Sequence, residues 1–134
     1  RLGATLERYL TYGIDVQASL IFGLPGESYR SIDQTLDLVQ AFPSVSFNYS
    51  SGARIYANTP LFAQARHSGA NHVYGAGTDD PLGISLYSEP APPWEIETYL
   101  RERLNRATNL IPLWAPVDRP THTLAAAAAG TRNS

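Results

Sequence analysis

Leu2, Leu6, Tyr9 and Leu10 recur at intervals of three and four residues, which puts them on one face of a helix. Gly13 stands just past that helix, where a left-handed residue closes the last turn at least cost. The run Val16-Gln17-Ala18-Ser19-Leu20-Ile21-Phe22 is short, mostly apolar and followed by Gly23. It reads as a strand of a parallel sheet with both faces covered. A second helix is expected from Ser31, with Gln34 completing a capping box, an apolar face of Ile32, Leu36, Val39 and Phe42, and Pro43 as its stop. Residues 45–49 form the next strand, which Arg54-Ile55-Tyr56 extends after an irregular Ser50-Ser51-Gly52. Thr59-Pro60 starts a third helix, Thr as N-cap and Pro in the first turn, running to about Ser68 and closing on Gly69. Residues 70–81 read as loop and 82–87 as a short edge strand between Pro81 and Pro90. Pro93 opens the last helix, with Trp94, Tyr99, Leu100, Leu104 and Ala107 inward and Arg101, Glu102 and Arg106 outward. Pro112 and Pro116 end regular structure, and residues 117–134 read as a disordered tail.

Strands alternating with helices imply parallel pairing through right-handed crossovers. Two such strands cannot close a sheet by themselves, so strand 16–22 is expected to need a neighbour from outside the chain. The sequence also has no Met and opens at Arg1 inside a helical pattern, so it is expected to be a piece of a longer protein.

Composition narrows the chemistry. The 134 residues contain no Cys, which removes disulfides, thiolate metal sites and thiol nucleophiles from consideration. A net charge of −2 gives no footprint for nucleic acid. No apolar run approaches the ~20 residues of a membrane-spanning helix. His67, His72 and His122 have no metal-ligand spacing, so each reads as a loop or solvated histidine. Asp79-Asp80 reads as the start of an element before Pro81 rather than as a substrate contact. Arg54 is equally suited to gripping a carboxylate and to a rim ion pair.

The most informative stretch is Gly23-Leu24-Pro25-Gly26-Glu27-Ser28, directly after the first strand. Ligands of parallel α/β folds bind in such loops. A phosphate-binding P-loop is excluded, because that motif needs a Lys before the Ser and this chain has Glu27 there. Glu27 instead suits the positive end of the following helix.

Residues 16–28, followed by Ser31-Ile32 and Thr35-Leu36-Asp37-Leu38, closely resemble the fifth strand and following helix of radical S-adenosylmethionine (SAM) enzymes. Arg54-Ile55-Tyr56-Ala57-Asn58-Thr59-Pro60-Leu61 is similar to the stretch after the sixth strand, where the family usually reads R-I-Y-P-G-T-P-L. Leu86-Tyr87-Ser88-Glu89-Pro90 resembles a segment of the branch that often carries an N-terminal cobalamin-binding domain. The resemblance covers roughly residues 1–114 and is closest up to Leu61. It implies an α/β fold: the last two βα units of a partial TIM-like (β/α)6 barrel over 1–69, then a mostly helical, family-specific extension over 70–116. It further implies a cytoplasmic bacterial iron–sulfur enzyme with SAM and a [4Fe–4S] cluster as cofactors, and cobalamin as a third in that branch. The cluster reduces SAM to methionine and a 5′-deoxyadenosyl radical, which takes a hydrogen atom from a small-molecule or peptide substrate. The cluster's CxxxCxxC loop belongs to the missing N-terminal half of the barrel, so this chain alone is expected to be inactive.

By the same resemblance, Ile21 offers an apolar face to adenine and the backbone at Gly23, Leu24 and Pro25 lines the pocket. Ile55, with Arg54 and Tyr56 beside it, closes the other side. Ala57-Asn58 departs from the family's Pro-Gly pair but keeps a turn-prone Asn. Two other readings of the residues stay open: a non-catalytic segment that binds a partner through the edge of its first strand, and a small nucleotide-binding α/β module built on the Gly-Leu-Pro-Gly loop.

Overall fold

A computed structural model describes residues 1–67, 71–75, 85–104 and 109–113. The sequence-based expectations for Ser68, Gly69, Asp79-Asp80, Arg106, Ala107, Pro116, His122 and the tail 117–134 lie outside the described residues.

The first helix, α1 (Leu2–Thr11), buries Leu6 and ends as its sequence requires. Gly13 adopts φ 71°. Its N–H donates to the Leu10 carbonyl at 2.9 Å while the Ile14 N–H reaches back to Tyr9 at 3.1 Å, the paired bonds of a Schellman closure. Strand β1 (Gln17–Phe22) follows, then α2 (Tyr29–Ala41), β2 (Ser46–Ser51), β3 (Ala53–Arg54), α3 (Pro60–His67), β4 (Val73–Gly75), β5 (Ser85–Tyr87), α4 (Pro93–Arg103) and β6 (Leu110–Pro112). The chain is therefore mixed α/β, with four helices and two three-stranded sheets among the described residues. One sheet is parallel, in the order β1-β2-β6; the other is antiparallel, in the order β3-β5-β4.

Helix α2 is capped three residues earlier than its pattern suggests. Ser28, not Ser31, is the N-cap: the Ser31 N–H donates to Ser28 Oγ at 3.2 Å, and the Ser28 N–H donates to Ser31 Oγ at 3.0 Å. A serine at the third helical position thus performs the reciprocal role usually given to Glu or Gln. Replacing Ser28 with Ala is expected to cost about 1 kcal/mol of unfolding free energy, read as a lowered urea midpoint with unchanged slope; a midpoint equal to the wild type would show the cap to be idle.

The parallel sheet is covered on one face and, along β1, open on the other. Ala18, Leu20 and Phe22 of β1 turn toward the helices, where Phe22, Ile32, Leu36, Val39, Phe47, Ile96 and Leu100 are buried together. Phe22 meets Tyr49 edge to face at 6.1 Å between ring centroids. Gln17, Ser19 and Ile21, on the opposite face, are exposed. The expectation that both faces of strand 16–22 are covered is corrected on this point. The sequence hid it because Ile21 breaks the polar alternation that a half-covered strand otherwise shows.

Three further corrections follow from β-pairing between distant segments. Ser50 and Ser51 belong to β2, and Gly52 separates it from β3, so Arg54-Ile55-Tyr56 leaves the parallel sheet instead of extending it. Of the edge strand expected at 82–87, Ser85–Tyr87 is described and is the central strand of the antiparallel sheet, flanked by β3 and by β4, which arises within the expected loop. Finally, Leu110–Pro112 forms a third parallel strand beside β2, although Pro112 had suggested an end to regular structure. Pro fits because it sits at the last position of an outer strand, where its missing N–H interrupts little. Among the described residues, the segment after residue 70 thus mixes α4 with three short strands.

Asn109 explains how β6 is brought in. Its Nδ2 lies 3.2, 3.0 and 3.1 Å from the carbonyls of Val39, Phe42 and Val45. One carboxamide therefore serves the carbonyl-rich end of α2 and the turn into β2. No helix among the described residues is long and apolar enough to cross a membrane.

Candidate functional site

The carboxyl ends of β1 and β2 meet at two glycines. The Gly52 N–H donates to the Phe22 carbonyl at 2.7 Å, and Gly23 at φ 94° turns the chain out of β1. The loop then closes on itself through the Glu27 N–H, which donates to the Leu24 carbonyl at 3.0 Å. Leu24, Pro25 and Gly26 are exposed along it.

Two carboxylates hold this loop. Glu27 accepts from the Gly23 N–H at 3.4 Å and from the Ser31 hydroxyl. Glu89, on the segment after β5, accepts from the Gly26 N–H at 3.0 Å through Oε2 and from the Tyr87 hydroxyl through Oε1. Its own N–H donates to the Gly23 carbonyl at 3.1 Å. Behind it, Ser88 is fully buried, with its hydroxyl donating to the Ala91 carbonyl at 2.7 Å. The Tyr87 hydrogen bond holds the Glu89 carboxyl below the usual carboxylate range, against a smaller opposing effect of burial. Burial first, and then Glu89, push the Tyr87 phenol up to about 12.

This arrangement has a chemical consequence. A phosphate-binding loop presents free backbone N–H groups to an anion. Here the Gly23 and Gly26 N–H groups already serve carboxylates. The loop suits a ligand without phosphates, and the negative charge beside it favours a cation.

The expected site residues fall into two groups. Ile21, Gly23, Leu24 and Pro25 form one continuous strand end. Ile21 is 49% exposed on the open face of the sheet, beside Ser50 in register. One step down, Ser19, Asn48 and Ile111 form a row across all three strands. Ile111 is 49% exposed. The second group lies on the antiparallel sheet. Arg54 is opposite Leu86, the Ile55 N–H donates to the Ser85 carbonyl at 3.0 Å, and Tyr56 is 61% exposed. Gly52, next to Gly23, is the point where the two groups approach. The turn after Tyr56 forms without glycine: Asn58 takes φ 65°, and Thr59 caps α3 by accepting the Phe62 N–H at 3.2 Å.

Asn48, Ser88, Glu89 and Ile111 belong to this site although sequence reasoning did not single them out. Glu89 sits within a noticed segment, but nothing in a linear pattern pairs it with Gly26 63 residues earlier. Among the described residues, no group of three His, Cys, Asp or Glu side chains could hold a metal ion. His72 packs against the Tyr87 ring at 5.7 Å, and His67 Nδ1 lies 3.3 Å from the Ala63 carbonyl. Compared with known proteins, the chain matches no family model, no curated protein and no solved structure.

Proposed function

We propose that this chain supplies the adenine side of an S-adenosylmethionine pocket in a radical SAM iron–sulfur enzyme, as the last parallel strands of a partial (β/α)6 barrel. The observation that carries this reading is the uncovered face of β1, at Gln17, Ser19 and Ile21, ending in a loop whose glycine N–H groups are taken by carboxylates. Adenine has apolar faces and a polar edge. Exposed Ile21 and Leu24 offer it an apolar surface, and Pro25 stands exposed beside them. SAM carries a sulfonium cation and no phosphate, which Glu27 and Glu89 favour over a nucleotide. Arg54, Ile55 and Tyr56 follow Gly52 and flank the same strand ends.

The reaction itself, reductive cleavage of SAM for 5′-deoxyadenosyl-radical chemistry, belongs to a [4Fe–4S] cluster. This chain has no Cys to ligate one, so the cluster would be held by the N-terminal half of the barrel. That half would dock along β1, the outer strand of its sheet. The same edge supports the second reading, a partner-dependent segment without catalysis.

Two measurements test the proposal. In amide spectra of the full chain, 5′-deoxyadenosine is expected to shift the Ile21, Gly23 and Leu24 resonances at concentrations where AMP leaves them in place. AMP binding as well as the nucleoside would favour a nucleotide module, and no shift with either would end the adenine reading. In the coding DNA, an in-frame CxxxCxxC is expected about 100–150 residues upstream, the length of four further βα units. A stop codon or unrelated sequence there would leave the partner-dependent segment.

A further inference from the structure

The geometry assigns to Glu89 the role of a positioning residue: it clamps both ends of loop 23–26 and so sets the shape of the surface that the proposed ligand meets. This inference rests on the reading of that loop as the adenine-side wall. Three contacts define the clamp. The Glu89 N–H holds the Gly23 carbonyl at 3.1 Å, Glu89 Oε2 holds the Gly26 N–H at 3.0 Å, and the Tyr87 hydroxyl fixes Oε1. Backbone and side chain of a single residue therefore span the loop, leaving Leu24 and Pro25 between the two fixed points.

The base of the clamp is rigid. Tyr87 is buried in the central strand of the antiparallel sheet. The Ser88 N–H donates to the His72 carbonyl at 2.9 Å, and the Ser88 hydroxyl is held by Ala91. The loop has a second carboxylate in Glu27, but that residue precedes α2 and moves with the loop itself. Only Glu89 ties the loop to another sheet among the described residues. The antiparallel sheet, which also carries Arg54, thereby sets the floor of a site on the parallel one.

The test measures Gly26 amide exchange and 5′-deoxyadenosine affinity in the full chain. Glu89→Ala is expected to speed exchange at Gly26 about tenfold, as loss of a charge-assisted hydrogen bond predicts, with Phe47 and Leu100 unchanged. Affinity for 5′-deoxyadenosine should fall about tenfold. Glu89→Gln keeps an acceptor oxygen and is expected to restore both to within about threefold of the wild type. Unchanged Gly26 exchange in Glu89→Ala would overturn the clamp. So would acceleration shared equally by Phe47 and Leu100, which would make Glu89 a general support of the fold. If Glu89→Ala does not fold, Tyr87→Phe decides instead: it frees Oε1 and should speed Gly26 exchange severalfold, and no change there overturns the clamp. If Gly26 responds while the wild type binds no 5′-deoxyadenosine, the clamp stands and the adenine reading falls.

Discussion

Glu97→Ala is expected to lower the free energy of unfolding by about 3 kcal/mol, measured as a shift of the urea midpoint at constant slope. Glu97 lies on α4 and is 5% exposed. Its Oε1 accepts from the Tyr49 hydroxyl at 2.8 Å and from Arg101 Nε at 3.1 Å, and its Oε2 accepts from the Ser51 hydroxyl at 2.8 Å. Tyr49 and Ser51 are neighbours on the covered face of β2 and are themselves buried. One carboxylate therefore joins a helix to the central strand of the parallel sheet through two hydroxyls that water does not reach. Burial and the bond to Glu97 both push the Tyr49 phenol well above its ordinary range.

The magnitude follows from what the substitution leaves behind. Two buried hydroxyls lose their acceptor, each at a cost of about 1–3 kcal/mol. Arg101 contributes little to the loss, since its side chain is 57% exposed and turns to water. Glu97→Gln keeps the volume and one acceptor oxygen, so it should cost about 1 kcal/mol. A loss below 1 kcal/mol for Glu97→Ala would mean that apolar packing by Ile96 and Leu100 alone docks α4.

Glu97 also marks where sequence reading stops. The helix over 93–103 is legible from Pro93 and the spacing of its apolar residues, and its exposed Arg101 and Glu102 follow from the same pattern. A glutamate turned inward does not, because its burial depends on Tyr49 and Ser51 being carried beneath it by β2. The other differences share this cause. Strands β4 and β6 are three residues each, too short for periodicity to register, and exist through pairing with partners far along the chain. Local signals fared better: Gly13, Thr59-Pro60 and the apolar face of α2 act within one turn of themselves. The strand end at Ile21 and Gly23 was likewise legible, since a strand and a glycine turn are both local, although the cap that follows was placed at Ser31 and lies at Ser28. Its far wall, Ser88 and Glu89, was not.

Gly23→Ala is the second substitution with a large expected effect, also about 3 kcal/mol, and it tests that far wall directly. At φ 94° an L side chain is strained whatever space surrounds it, at a cost of about 1–2 kcal/mol. The added Cβ would also stand 2.8 Å from Ser88 Oγ, 3.3 Å from Ser88 Cα and 3.4 Å from Gly52 N. The hydroxyl cannot swing aside freely, because it is committed to the Ala91 carbonyl, and the other two atoms are backbone. Overpacking of this kind adds about 1–3 kcal/mol. Gly26 separates the two contributions: at φ 85° it has nothing within 4 Å of an added Cβ. Gly26→Ala should therefore carry the strain alone, about 1 kcal/mol. Adding Ser88→Ala to Gly23→Ala removes the nearest atom and should show coupling between the sites rather than additivity. If Gly23→Ala proved no more costly than Gly26→Ala, the 88–89 segment would not press on the strand end in solution, and the antiparallel sheet would lose its claim to shape the site.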